Sequence, residues 1–87
     1  MWTIEFTPTA RNQLKTLTLT DQRRITDFLL ERAASRENPR LLAKRLTIPG
    51  EELWRFRVGD FRIIARFVDQ RLEITVISVG YRREVYR

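Results

Sequence analysis

The segment 53–64 limits the possible folds more than any other part of the chain. Apolar residues alternate with arginines as far as Val58, the pair Gly59-Asp60 follows, and a second run of apolar and basic residues begins at Phe61. A glycine and an aspartate between two such runs are typical of a two-residue β-hairpin loop. We therefore predict two antiparallel strands joined by this loop.

The predicted hairpin brings two arginines face to face. A two-residue loop sets the register so that Arg57 lies directly opposite Arg62. Like charges in such positions destabilise a sheet. Because stability alone does not explain this pair, we expect an anionic group to lie between the two side chains.

The length and composition indicate one small folded domain. The chain has 87 residues, of which 43% are hydrophobic and 32% are charged. Disordered chains contain fewer apolar residues, and a second independent core needs a longer chain. We expect a single domain, residues 1–87, in which helices cover one layer of sheet.

The chain is strongly basic, with 17 basic residues, 11 acidic residues and a formal net charge of +6. Every basic residue is an arginine except Lys15 and Lys44. Genomic base composition is one explanation for this ratio, but it does not explain why several arginines lie on predicted strands. Arginine binds phosphate through a planar fork of donors, so the charge favours a phosphate-rich partner.

Cysteine and histidine are both absent. Their absence excludes disulfide bonds, a thiolate nucleophile and histidine acid–base catalysis, and it removes the commonest zinc ligands. The first residues lack the features of a secretory signal, and no apolar run reaches the ~18 residues that a membrane span needs. We expect a cytoplasmic protein that does not contact a membrane.

The N-terminal part predicts one strand and two helices. Residues 2–6 alternate in polarity like a short strand. Thr7 followed by proline is a helix start, and a helix over residues 8–17 is expected. A second helix is expected to begin after Thr20 as its N-cap and to end before Pro39. Joined by a short link, the two helices form a helical hairpin.

The second half predicts an antiparallel meander. Its three strands are expected at residues 51–58, 61–68 and 71–79, with tight turns at residues 59–60 and 69–70. The segment 39–50 is a crossover, either a single helical turn or a packed loop, that brings Lys44 and Arg45 toward the sheet. The predicted fold class is α+β, an antiparallel β-sheet of about four strands packed by the N-terminal helical hairpin, in the order β-α-α-β-β-β.

This register divides the sheet into an apolar face and a basic face. The apolar face is expected to carry Trp54, Phe56, Val58, Phe61, Ile63, Ala65, Phe67, Leu72, Ile74 and Val76. The opposite face is expected to carry Arg55, Arg57, Arg62, Ile64, Arg66, Glu73, Thr75 and Ile77. Arg66 falls opposite Glu73, which predicts a structural ion pair. The other three arginines are the candidates for anion binding, and we expect all three to be exposed.

The last residues of the chain add an arginine and a tyrosine. Arg82 and Tyr86 are four residues apart, so a helical turn puts them on one side, and an extended segment does the same. Either geometry lets the two side chains converge on one site.

Three motifs occur together in this chain. They are residues 53–64, the sequence Val-Ile-Ser-Val-Gly at 76–80 and the sequence Arg-Arg-Glu-Val-Tyr at 82–86. Together they resemble the RelE-like toxins of type II toxin–antitoxin systems, in the RelE/ParE superfamily, and the resemblance covers essentially the whole chain. It implies a toxin that enters the ribosomal A site and cuts messenger RNA without a metal or other cofactor. It also implies a cognate antitoxin protein as a partner.

The resemblance also implies roles for individual residues. By motif position the catalytic candidates are Arg57, Arg62, Arg82 and Tyr86, and the RNA-binding candidates are Arg55, Arg45, Lys44 and Arg83. Many relatives carry histidine at the position of Tyr81, and some carry lysine at the two strand positions of Arg55 and Arg57. Because arginine stays charged, these two residues are better suited to phosphate binding than to proton transfer.

The expected reaction is in-line attack of the RNA's own 2′-OH on the adjacent phosphate. Arginines would stabilise the charge on the phosphate, and Tyr86 would stack on a base or act as a general base. Two other functions fit the same residues. One is inhibition of DNA gyrase, as in the ParE branch, and the other is RNA binding without catalysis, as in an inactivated toxin.

Overall fold

The computed structural model describes residues 1–81, in which five strands form one sheet. The strands are β1 (Thr3–Phe6), β2 (Ala43–Arg45), β3 (Trp54–Val58), β4 (Phe61–Val68) and β5 (Glu73–Tyr81). Their order across the sheet is β1-β5-β4-β3-β2. The predicted hairpin joins β3 to β4, and Arg57 lies opposite Arg62.

The α+β fold class is confirmed, and the sheet differs from the expectation in two details. It has five strands rather than about four, because residues 43–45 of the crossover pair with β3. In addition, β1 pairs with β5 in the parallel direction, while the other three pairings are antiparallel. The N-terminal strand therefore lies at one edge of the sheet and the crossover strand at the other.

The first helix, α1 (Pro8–Lys15), begins where the sequence predicts. The Thr7 hydroxyl oxygen accepts a hydrogen bond of 3.2 Å from the Ala10 amide. Pro8 occupies the first turn, where its missing N–H leaves no hydrogen bond unmade. These two residues account for the helix start.

The second helix, α2 (Leu19–Asp27), begins before the predicted position. Its N-cap is Thr18 and not Thr20, because the Thr18 hydroxyl oxygen accepts a hydrogen bond of 3.1 Å from the Asp21 amide. The helix continues as a π-helical stretch, Phe28–Ala33. In the described part of the chain, no helix is long and apolar enough to cross a membrane.

The helices cover one face of the sheet and enclose the core. Ile25 and Leu29 are fully buried in one cluster with Phe56 and Ile63 of the sheet. Phe28 meets Phe56 edge to face, with 5.7 Å between ring centroids. Each large apolar side chain buried in this way contributes about 1.5–3 kcal/mol, so the cluster dominates the stability of the fold.

The crossover is attached to the sheet through Arg40. This residue lies in a short 3₁₀ helix, Pro39–Leu42, so the crossover contains a helical turn. The Arg40 guanidinium donates two hydrogen bonds to the Asp69 carboxylate, at 2.9 and 2.8 Å. It also lies 4.6 Å from the centroid of the Phe67 ring and 5.6 Å from that of Trp54. These contacts hold the segment that leads into β2.

The connection between β4 and β5 differs from the prediction and changes the register. Instead of a two-residue turn, Asp69–Arg71 forms a 3₁₀ helix, and Leu72 adopts a left-handed conformation with a φ of 47°. Leu72 is 45% exposed, so its assignment to the apolar face was wrong. Glu73 now pairs with Val68 and not with Arg66.

The predicted ion pair between Arg66 and Glu73 was therefore wrong. Arg66 lies opposite Thr75, and its guanidinium is 3.7 Å from the Glu51 carboxylate. Glu73 accepts hydrogen bonds from the Thr75 hydroxyl at 2.6 Å and from Arg71 at 3.4 Å. These two contacts, with that from Thr75 the larger, lower the pKa of Glu73. Arg66 thus contacts a carboxylate, but on another residue.

Candidate functional site

Four basic residues share the face of the sheet that the helices leave uncovered. Residues directly opposite each other in antiparallel strands point to the same side. Lys44 lies opposite Arg55, and Arg57 lies opposite Arg62. Because Arg55 and Arg57 are two positions apart on β3, both pairs point to the same side. We call these four residues the cationic face.

The cationic face consists of two rows that run across the strands. Residues on the same side of one strand are about 7 Å apart along it. One row therefore consists of Lys44 and Arg55 and the other of Arg57 and Arg62, and the two rows are about 7 Å apart. This arrangement suits an extended polyanion that crosses the rows, since successive anionic groups meet successive rows.

Arg57 and Arg62 differ in exposure. Arg57 is exposed, whereas Arg62 has 2% of its surface exposed, so the expectation of an exposed Arg62 was wrong. Strand β2 pairs with β3 only as far as Phe56, which leaves Arg57 beyond its end. Arg62 has a paired strand on each side. The row therefore combines one accessible charge with one that the fold buries.

The row of Arg57 and Arg62 continues to Gly80 on β5. Gly80 lies opposite Arg62 and carries no side chain. This pairing depends on a bulge in β5, because Ile64 pairs with Ser78 and the extra residue is Ile77. The bulge brings Gly80 beside Arg62, where a larger residue would occupy space on the cationic face.

The structure separates the two basic residues of the crossover. Lys44 belongs to the cationic face because it lies opposite Arg55, whereas Arg45 lies opposite Trp54 and points to the side of the helices. Arg45 is exposed and lines a pocket of about 370 Å³ with Leu46 and its neighbours. Of the two, only Lys44 is brought together with the strand arginines.

Three predicted site residues, Arg82, Arg83 and Tyr86, lie outside the described residues. The last described residue, Tyr81, lies opposite Phe61 and points to the side of the helices. The two rings have centroids 4.6 Å apart, and Tyr81 is 47% exposed. Tyr81 thus presents an aromatic surface on the helix side of the sheet, and not on the cationic face.

Sequence reasoning missed a pocket beside Tyr81. It has a volume of about 280 Å³ and lies between the end of β5 and the link from α1 to α2. Its polar lining includes Gln13, Thr16, Thr18, Asp21 and Tyr81. The Gln13 side chain connects the two walls, because its oxygen accepts a hydrogen bond of 2.7 Å from the Val79 amide. No local motif marks this pocket, since its walls come from distant segments.

The side chains available for metal binding are carboxylates, because the chain has no histidine or cysteine. Within residues 1–81, no three of these carboxylates form a group that could hold a metal ion. The charged groups gathered at the candidate site are cations, which suit anionic ligands.

Comparison with known proteins identifies a family. The family described as "ParE toxin of type II toxin-antitoxin system, parDE" matches residues 4–86. A comparison with curated protein sequences found no match.

Several solved structures have the same fold. The toxin–antitoxin complex RelBE2 from Mycobacterium tuberculosis contains a chain with 26% identity and a TM-score of 0.82, covering 93% of this chain and 91% of that one. The isolated E. coli RelE toxin has 24% identity and a TM-score of 0.69, covering 99% and 92%. The RelE–RelB complex from Pyrococcus horikoshii OT3 has 22% identity and a TM-score of 0.68, covering 93% and 94%.

Proposed function

Since the chain belongs to the RelE/ParE superfamily of toxins from type II toxin–antitoxin systems, we propose that it is an endoribonuclease that cuts messenger RNA in the ribosomal A site. The observation that carries this proposal is the cationic face. Its two rows hold four positive charges on the side of the sheet that the helices leave free. A ribosomal target implies a cytoplasmic site of action.

The geometry of the cationic face suits RNA because phosphates repeat along the strand. Arg57 and Arg62 lie directly opposite each other, so a phosphate bound by the exposed Arg57 guanidinium also lies close to the positive charge of Arg62, which is 2% exposed. The row of Lys44 and Arg55 then meets a neighbouring phosphate. Arg83, which follows β5 in the chain, is assigned to the same backbone contacts. Arg45 points to the other side and is left out of this assignment.

The proposed reaction uses a nucleophile that the RNA itself provides. The 2′-oxygen attacks the adjacent phosphorus, so the O2′–P bond forms while the P–O5′ bond breaks. The 2′-OH loses its proton and the leaving O5′ gains one, which yields a 2′,3′-cyclic phosphate and a 5′-OH. Negative charge increases on the phosphoryl oxygens during this step. Fixed positive groups stabilise that charge, and removing one such group typically costs a factor of about 10²–10³ in rate.

We assign the phosphate contacts to Arg57, Arg62 and Arg82. A guanidinium stays protonated at neutral pH, so these residues stabilise charge and do not transfer protons. Tyr86 is assigned to the substrate, either stacking on a base or acting as a general base if nearby arginines lower the pKa of its phenol. The stacking role requires no change in the pKa of Tyr86.

The proposal is tested in a cell-free translation system, with primer extension on the message. Wild-type protein should produce cuts at codon spacing. Arg57→Ala should lower the cleavage rate by about 10²–10³-fold. Arg66→Ala is the matched control, because Arg66 lies on the same side of the sheet but contacts Glu51 at 3.7 Å. Equal cleavage by both variants, or intact message bound by wild-type protein, would refute the nuclease assignment.

Inhibition of DNA gyrase is the second candidate, since the matching family carries the name ParE. The two candidates predict different targets for the same basic residues. A gyrase inhibitor leaves message intact in the translation assay and traps gyrase on DNA in a cleavage assay. A nuclease gives the opposite pair of results. Running both assays on one preparation separates the candidates.

The binding partner that fits this assignment is an antitoxin protein. Several structural neighbours were solved as toxin–antitoxin complexes. A protein of net charge +6 with a cationic face favours an antitoxin segment that carries negative charge. Co-expression with the protein encoded beside it should yield a complex in which Arg57 is protected from arginine-specific chemical modification.

A further inference from the structure

The outer side of β2 is an open edge of the sheet. Strand β2 comes last in the strand order, so within residues 1–81 only β3 pairs with it. The Leu46 amide donates a hydrogen bond of 2.9 Å to the Leu53 carbonyl, on the side of β3. Backbone groups alternate in direction along a strand, so the amide and carbonyl of Arg45 point the other way, toward the open edge. Such groups are available to a strand from another chain.

We propose that the open edge of β2 binds an extended acidic segment of the antitoxin, which adds a sixth strand to the sheet. The proposal rests on the proposed function only for this partner, and it is the same for a nuclease and for a gyrase inhibitor. It also gives a role to Arg45, which points away from the cationic face. In strand addition, backbone hydrogen bonds provide affinity and alternate side chains provide specificity.

The charges on β2 favour an acidic segment. Lys44 and Arg45 are exposed neighbours whose side chains point to opposite sides of the sheet. Within the described residues neither of them forms an ion pair. An extended segment alternates in the same way, so it places one carboxylate opposite each cation. Opposite charges in facing positions stabilise the pairing of strands.

The same charges disfavour a second copy of this chain at the edge. Antiparallel pairing of two β2 strands would bring the lysine and arginine of one copy beside those of the other, and each copy has a net charge of +6. Like charges in facing positions destabilise pairing, and lysine on an edge strand commonly prevents self-association. The other edge strand, β1, carries Glu5 and no basic residue, so it does not favour an acidic segment.

An apolar pocket lies at the end of β2. It has a volume of about 370 Å³ and is lined by residues 45–49. Its walls include the apolar side chains of Leu46, Ile48 and Pro49, and Ile48 is 40% exposed. A segment that continues past Arg45 reaches this pocket, where an apolar side chain fits beyond the two carboxylates. The expected segment is therefore extended, with alternating acidic residues and an apolar residue at one end.

The test is amide hydrogen exchange by NMR, on the protein alone and on its complex with the protein encoded beside it. The Arg45 amide should exchange at least about tenfold more slowly in the complex, because it gains a hydrogen bond. The Ile4 amide is the internal control. The Thr3 amide donates to Leu72 at 2.8 Å on the side of β5, so the Ile4 amide points outward from the other edge and should keep its exchange rate.

Four substitutions separate the contributions of charge and backbone to the affinity. Arg45→Glu should weaken the complex at least about threefold, whereas Lys15→Glu makes the same change at an exposed position of α1 and should leave the affinity unchanged. Arg45→Pro and Arg45→Ala both remove the charge, but only proline removes the outward amide. Arg45→Pro should therefore bind about 2–10-fold more weakly than Arg45→Ala. Thermal melting shows whether each variant is folded, and if Arg45→Pro is not, the exchange data and Arg45→Glu decide.

A complex in which the Arg45 amide exchanges at its original rate would overturn strand addition and leave the antitoxin assignment intact. Equal weakening by Arg45→Glu and Lys15→Glu would contradict an acidic segment at this edge. If the two proteins form no complex, both the antitoxin partner and the occupied edge are wrong. Message cleavage is measured separately, so its absence counts against the nuclease and not against this edge.

Discussion

Replacing Arg57 should make the protein more stable and its RNA binding weaker. Arg57 lies directly opposite Arg62 across the β3–β4 hairpin. Like charges in this position destabilise a sheet, so Arg57→Gln removes a repulsion while it keeps most of the side chain's length. The variant also loses one of the three arginines that we assign to the scissile phosphate. Stability and binding should therefore change in opposite directions.

The size of this effect follows from the pair's geometry. A directly opposed charged pair changes the free energy of unfolding by about 0.2–1 kcal/mol. For a domain of this size, 1 kcal/mol shifts the melting temperature by about 4–8 °C. We thus expect Arg57→Gln to melt about 1–8 °C higher than wild type at low salt. Near 1 M salt the screening length falls to about 3 Å, so most of the difference should disappear.

Thermal unfolding at low and high salt measures this difference. Arg57→Lys keeps the charge and should melt like wild type, and Arg66→Gln removes an arginine that contacts Glu51 and should give no gain. A short RNA with 2′-O-methyl groups cannot be cleaved by 2′-OH attack, and it should stabilise wild type more than Arg57→Gln. If Arg57→Gln melts at or below wild type at low salt, the reasoning about the pair is wrong.

Three further predictions concern the turns and the crossover. Leu72 has a φ of 47°, a conformation that glycine adopts more easily than alanine. Chemical denaturation should therefore show Leu72→Gly to be more stable than Leu72→Ala by about 0.5–1 kcal/mol, although glycine is usually the more destabilising of the two. Gly59→Ala and Gly50→Ala should both destabilise in the same assay, because both glycines have positive φ (60° and 79°), and the contact of a Cβ at position 59 with the Arg24 guanidinium should add little, since that exposed side chain can move away. The hydrogen bond from Arg40 lowers the pKa of Asp69, so the folded state binds this proton less readily than the unfolded chain. The stability that this shift contributes is present at pH values above the pKa of Asp69 in the unfolded chain, and it is lost as the pH falls through the pKa of Asp69 in the folded protein. Asp69→Asn should remove this contribution to the loss of stability in acid.

Local signals in the sequence predicted the local structure correctly. The hairpin register follows from the two-residue loop, and the start of α1 follows from Thr7 and the proline after it. The two faces of the sheet follow from alternation along β3 and β4. In each case a few neighbouring residues determine the outcome, because the relevant hydrogen bonds and periodicity are local.

The features that were missed depend on contacts between distant segments. Strand β2 has three residues and forms because β3 offers it a partner. The 3₁₀ helix at residues 69–71 ends at Leu72 in a left-handed conformation, which no sequence rule favours for leucine. Arg62 is 2% exposed, which neither its charge nor its place in the alternating pattern indicates. The pocket at Tyr81 needs α1, α2 and β5 together. Pattern and propensity do not report such contacts.

The core, and not the basic residues, determines the geometry of the cationic face. A shift of one residue in the register of β3 would separate Arg57 from Arg62, but it would also turn Phe56 to the outer face. Phe56 is fully buried, and a buried side chain of this size contributes about 1.5–3 kcal/mol. The repulsion between the two arginines costs about 1 kcal/mol at most. Burial therefore outweighs repulsion, and the packing of the core fixes the two arginines opposite each other.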